Sequence, residues 1–193
     1  IGLNCMAFEH SGERMLVDCG LMFPRGNLPG VEIIVPDLTW ITADPESLKG
    51  VVLTHAHEDH LGALPFLLKR LGVPVWGTPF TLGLLRHKLD EAGIRADLRP
   101  ISPREPFRVG GAFVVEAVRV SHSVPDAVAL IIKSPSGTVV HTGDFKLDGA
   151  PIDGRPTDLE RLGEAGDEGV GLLLSDSTNS EVAGSSGSDQ LVA

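Results

Sequence analysis

The stretch LTHAHEDHLGALP, residues 53–65, constrains this chain more than any other. It sets three histidines and two carboxylates in six consecutive positions, His55 to His60, between two apolar runs. Val51, Val52 and Leu53 form a continuous apolar run, which reads as a buried strand. DHLGALPFLLKRLG reads as a helix closed by Gly72, with Pro65 kinking or restarting it. His55 and His57 therefore leave a strand end on one side of an extended chain. Asp59 and His60 follow at the start of the helix. One strand–loop–helix corner thus presents two pairs of ligands, His55/His57 and Asp59/His60. Neutral imidazole and carboxylate oxygen suit zinc, and manganese can occupy the same set. The bland alternative is a solvated loop rich in histidine; the buried strand leading into it argues against that.

Other segments alternate in type. LNCMAF and RMLVDCG read as two strands around a His10-Ser11-Gly12 turn. Residues 24–47, rich in Pro, Gly and Asp, read as a long, partly ordered loop. Residues 74–76 form a short strand. TPFTLGLLRHKLDEAG reads as a helix with Thr78 as N-cap, Pro79 in the first turn and Gly93 past its end. AFVVEAVRVSH, AVALIIKS and GTVVHTGD read as strands, the last two joined at Pro135-Ser136-Gly137. DLERLGEAG reads as a short helix and GVGLLLSD as a buried strand. Residues 1–183 make one domain, and the Gly/Ser-rich residues 184–193 read as a tail leading toward something further. Polar clusters sit where strands end, an α/β layered design with its site on that edge.

Later strand ends add candidates. His122 ends VVEAVRVS, and Asp144 follows GTVVHTG. Alone, His122 reads equally as a core or surface histidine, and Asp144 as a turn residue after Gly143. A carboxylate at such a point can bridge two cations. Hydrophobic residues make up 42% of the chain, enough for a packed body. The formal charge of −10 argues against a broad, nonspecific grip on nucleic acid. No apolar run approaches the roughly 20 residues that cross a bilayer. Cys5 and Cys19 lack CxxC spacing and read as buried or free thiols, with a disulfide or a metal role as alternatives. Two such thiols fit a reducing cytoplasm.

THAHEDHLGALP, SHSVPDA, HTGDFK and SDSTN together resemble the successive motifs of the metallo-β-lactamase superfamily. VDCGLMFP, HSVPDA, HTGDFK and LLLSDSTN more narrowly resemble the ribonuclease J branch of its beta-CASP nucleases. The resemblance implies an αββα sandwich with a dinuclear zinc site at its edge. It implies phosphodiester hydrolysis, chiefly of RNA, by water activated on the metals. His55, His57 and His122 would hold one zinc, Asp59 and His60 the second, and Asp144 would bridge. Asp18 would orient a ligand histidine by hydrogen bonding. Asp176 would support a histidine that protonates the leaving group. His141 is assigned to support or packing, and Lys146 to the substrate phosphate. His10 and His87 receive no role.

The family's chain continues past this point and supplies a further zinc-binding histidine. No histidine follows His141 here. The sandwich is therefore expected to be incomplete, the chain an excerpt, and its nuclease activity alone weak or absent. Homodimers or homotetramers are common in the family. A small-molecule hydrolase of the same fold, acting on a lactone, thioester or β-lactam, is the competing reading. A noncatalytic assembly module is the third.

Overall fold

The protein is described here as a computed structural model covering residues 2–26, 28–151 and 153–184. Of the predicted tail at residues 184–193, all but Gly184 lies outside the described residues. Strands β1 (Met6–His10) and β2 (Glu13–Val17) form a hairpin. Ser11 (φ 50°) and Gly12 (φ 80°) make its two-residue turn, and positive φ at both matches the right-handed strand twist. Strands β3 (Leu48–Val52), β4 (Val75–Gly77) and β5 (Leu98–Pro100) then add in parallel. The first sheet runs β1-β2-β3-β4-β5.

The second sheet is mostly antiparallel. It contains β6 (Phe107–Val109), β7 (Phe113–Arg119), β8 (Val128–Ser134) and β9 (Gly137–His141). Strand β10 (Leu172–Leu174) joins β9 in parallel, giving the order β10-β9-β8-β7-β6.

Two sheets packed face to face bury the side chains that alternate inward. Met15, Val17, Val52 and Trp76 of the first sheet meet Phe113, Val115, Ala117, Leu130 and Ile132 of the second. Helices cover the outer faces. Over the first sheet lie α1 (Thr39–Thr42), α2 (Glu58–Leu61), α3 (Leu64–Leu68) and α4 (Pro79–Glu91). Their Ile41, Leu61, Leu64, Leu67, Leu82, Leu85 and Leu89 pack on Leu16, Val51, Leu53 and Val75. The unbroken Val51-Val52-Leu53 run is thereby explained. Val52 serves the core between the sheets while its two neighbours serve the core under the helices. Each fully buried aliphatic side chain contributes about 1.5–3 kcal/mol.

Helix α5 (Leu159–Glu168) covers the second sheet with Leu162 and Ala165. Its Arg161 forms a two-pronged ion pair with outward-facing Glu116 of β7, at 2.7 and 3.0 Å. The layers are helix, sheet, sheet, helix, the αββα sandwich.

Three local expectations change, and a fourth is decided between its two alternatives. Residues 24–47 hold α1 and a 3₁₀ turn at Pro45–Ser47, so the segment is more ordered than its composition implies. The helix after His57 is two short helices, with Pro65 in the first turn of α3. Thr78 sits at the N-cap of α4 without capping it; its hydroxyl lies 3.0 Å from the carbonyl of Asp126 instead. GVGLLLSD is a strand but not a buried one. It lies at a sheet edge, with Leu172 49% and Leu173 60% exposed. Strands β5 and β6 are short and carry polar or proline residues, so no apolar run announced them. Among the described residues no helix is long and apolar enough to cross a membrane.

Candidate metal centre

Strand β3 ends at Val52, and residues 53–57 carry the chain across the sandwich edge into α2. His55 Nε2 lies 3.1 Å from His57 Nδ1, and His122 Nε2 lies 3.2 Å from the same nitrogen. Asp144 Oδ2 lies 3.8 Å from His122 Nε2. One ligand atom each from His55, His57, His122 and Asp144 falls within 4.8 Å of all the others. These residues come from the ends of β3, β7 and β9, more than 60 positions apart in sequence for His57 and His122 (|i−j| = 65).

Asp59 and His60 adjoin that group. His60 Nε2 is 3.4 Å from Asp144 Oδ1 and 3.8 Å from Asp59 Oδ2. The two oxygens of Asp144 thus face different histidines, His60 through one and His122 through the other.

The His60 side is fastened from below. Asp18 Oδ2 is 2.7 Å from His60 Nδ1. The same carboxylate accepts from the Thr54 backbone N–H and hydroxyl, both at 2.8 Å. Asp18 is 1% exposed and has φ 61°, a conformation uncommon for a residue with a side chain. Its three buried contacts hold it there. Gly20 is obligatory beside it, because a Cβ would fall 1.6 Å from the Asp59 carbonyl oxygen. Asn4 closes the other side, its amide nitrogen 3.0 Å from His60 Nε2 and 3.3 Å from Asp59 Oδ2.

Charge follows this geometry. Burial opposes the imidazolium of His60, but the Asp18 and Asp144 carboxylates outweigh it and raise its pKa to about 10. Burial and the nearby His60 charge push His55 down to about 3. The hydrogen bond with His60 lowers Asp144 to about 2. Burial, with His57 next to it, lowers His122 as well.

The donor set fits a cation. The Thr54 hydroxyl donates to Asp18, so it accepts from His55 Nδ1–H at 3.0 Å and leaves His55 Nε2 a bare lone pair. A single proton on His57 Nδ1 would have to serve two neighbouring nitrogens. A metal ion accepts from all three. Donors about 2.0–2.1 Å from a tetrahedral zinc sit roughly 3.3 Å apart, close to the spacings found.

His141 Nδ1 accepts from Gly143 N–H at 3.1 Å, shaping the turn that delivers Asp144. Gly143 has φ 58°, and a Cβ there would crowd Thr54 and the Val128 carbonyl at 3.0 Å. Lys146 pairs through its backbone with Ser121, next to His122, and its charge acts on that histidine. Asp176 follows β10; its backbone N–H donates to Thr142 and its carboxylate accepts from Thr178 N–H. Those bonds hold Asp176 in a turn, and it is not one of the four residues whose ligand atoms gather within 4.8 Å. Sequence reasoning missed Asn4 and Thr54. Each was visible as a lone polar residue breaking an apolar stretch, GLNCMAF and VVLTH. A hollow of about 420 Å³ opens beside His122, with Arg119, Ser121, Ser123 and Arg155 in its wall.

Known proteins resemble this chain in sequence and fold. Residues 2–184 match the family model for the metallo-beta-lactamase superfamily. The chain is 47% identical over 193 residues to a ribonuclease J of Mycolicibacterium smegmatis, covering all of this chain and 34% of that protein. It is 46% identical over 187 residues to a ribonuclease J of Synechocystis, covering 95% of this chain and 29% of that one. It thus spans about a third of the length of the curated relatives it matches. Zn(2+)-bound PqqB from Methylobacterium extorquens is similar in fold, with a TM-score of 0.60, 16% identity, and coverage of 94% of this chain and 64% of that one. The match over nearly every described residue, on an αββα sandwich with histidines and aspartates gathered at its edge, makes the chain a member of the metallo-beta-lactamase superfamily.

Proposed function

We propose that this chain carries the metal centre of a zinc-dependent ribonuclease of the ribonuclease J kind, one that hydrolyses phosphodiester bonds in RNA. The observation that carries this reading is the convergence of His55, His57, His122 and Asp144, with His60 and Asp59 adjoining. Ribonuclease J relatives at 43–47% identity support the choice of substrate.

In this reading His55, His57 and His122 would hold one cation and Asp59 and His60 a second, with Asp144 between the two groups as a shared carboxylate. The cations, when bound, supply a water acidic enough to act near neutral pH and positive charge against the phosphate. Every other task falls to the protein. Asp18 keeps a proton on His60 Nδ1, so that Nε2 faces the centre as a lone pair. Thr54 does the same for His55. Lys146, next in space to His122, adds charge toward the phosphate. Arg119 and Arg155 line the neighbouring hollow, which is assigned to a flanking nucleotide. Asp176 is assigned the support of the group that protonates the leaving sugar oxygen. A chain of net charge −10 leaves the grip on RNA to such local groups. Two unpaired thiols, Cys5 and Cys19, suit the cytoplasm.

Elemental analysis of the purified chain and of His57→Ala tests the centre. Bound zinc that falls in the variant is expected. RNA cleavage is then measured on this chain within the longest polypeptide its gene encodes. Cleavage lost with His57→Ala supports the reading. Turnover of a chromogenic ester or lactam with none of RNA overturns it in favour of a small-molecule hydrolase. Higher activity with manganese than with zinc changes the metal and keeps the reaction.

A further inference from the structure

Cys5 and Cys19 lie on facing segments that extend the β1–β2 hairpin. Leu3 N–H bonds Leu21 O, and Gly20 N–H bonds Asn4 O at 2.9 Å, so residues 3–5 run antiparallel to 19–21. The regular ladder resumes at Met6 and Val17. Asp18 is the extra residue on its strand. Cys5 packs against the same apolar cluster that contains Cys19, so both side chains leave the hairpin on one face. Facing residues of an antiparallel pair have Cα atoms about 4.5–5.5 Å apart, inside the 4.4–6.8 Å a disulfide spans. Cys5 is partly exposed, whereas Cys19 is fully buried.

We propose that Cys5 and Cys19 form a peroxide-oxidisable pair, with Cys5 the attacking thiol and Cys19 the resolving one. Cys5 sulfur attacks the O–O bond of hydrogen peroxide and becomes a sulfenic acid, releasing water. The Cys19 thiol then attacks that sulfur, its proton leaves with the hydroxyl as a second water, and the S–S bond forms. In sum, two thiols and one peroxide give one disulfide and two waters. A thiol-sensitive site needs an accessible, thiolate-prone cysteine beside a resolving partner. The hydrogen bond from Cys19 lowers the pKa of Cys5.

The cross-link would join the segments that hold His60 from two sides. Asn4, next to Cys5, touches His60 and Asp59; Asp18, next to Cys19, bonds His60 Nδ1. Cys19 itself donates its N–H to the His60 carbonyl at 2.7 Å. The proposal does not depend on the ribonuclease reading.

The test treats the purified chain with one equivalent of hydrogen peroxide, alkylates it in denaturant and weighs it. Loss of both alkylatable thiols within a monomer, a peptide joining Cys5 to Cys19, and recovery with dithiothreitol are expected. A dimedone adduct on Cys5 is expected to accumulate in Cys19→Ser. Should that variant fail to fold, Cys5→Ser serves instead, and is expected to leave Cys19 unoxidised at the same dose. Two intact thiols after treatment, a disulfide only between chains, or oxidation of Cys19 undiminished in Cys5→Ser would each overturn the proposal.

Discussion

The two ends of the histidine cluster are built differently. At one end His60 and Asp18 have side chains 3% and 2% exposed, locked to each other and to Thr54. At the other, His122 and Asp144 are 13% and 33% exposed. His122 Nδ1 is buried without a hydrogen-bond partner among the described residues. The first end is a piece of the core that carries a candidate ligand, His60. The second is a more open rim, where His122 and Asp144 meet the neighbouring cluster side chains His57 and His60. Removing a side chain from the first end is expected to damage folding and metal binding together, and removing one from the second chiefly metal binding.

The largest effect is therefore expected at Asp18. Asp18→Ala strips acceptors from His60 Nδ1, Thr54 N–H and the Thr54 hydroxyl at once, and should cost about 3–5 kcal/mol in urea unfolding. A loss under about 1 kcal/mol would mean that the network follows the fold instead of holding it. Metal removal comes next. Chelation should lower the stability of the wild-type chain by about 2.7 kcal/mol when free metal had stood at a hundred times its dissociation constant. His122→Ala should unfold within about 1 kcal/mol of the chelated wild type and respond little to the chelator. Equal losses from Asp18→Ala and His122→Ala would erase the contrast between the ends. The smallest effect belongs to Lys146→Ala. It should raise the KM for RNA about several-fold and flatten its salt dependence, with kcat nearly unchanged. A fall in kcat alone would move Lys146 from binding to the chemical step.

Much of the buried end was legible in sequence. HAHEDH carries its own spacing, and the apolar run before it predicts the strand that positions it. Local patterns also announced the hairpin around Ser11-Gly12 and the register of α4. Less legible was anything that depended on neighbours. LLL in β10 has the composition of a core strand, yet it forms a sheet edge because β9 covers one side of it alone. Thr78 stands where a cap belongs, yet the Asp126 carbonyl claims its hydroxyl. Asn4 stayed unnoticed because its partners, Asp59 and His60, lie 55 and 56 positions away.

By itself the sequence determined which side chains could serve as ligands and which elements would carry them, because strand and helix periodicity are short-range properties of the chain. Tertiary structure decided that His122 and Asp144 come within reach of His55, His57 and His60. Two sheets had to pack through Val52, Trp76, Val115 and Leu130 before their strand ends shared an edge. It also decided the charge of each group. Burial and the Asp18 and Asp144 carboxylates, not residue type, keep His60 protonatable up to about 10 while His55 falls to about 3. Proximity and desolvation arise only when the layers close, so no local stretch of sequence encodes them.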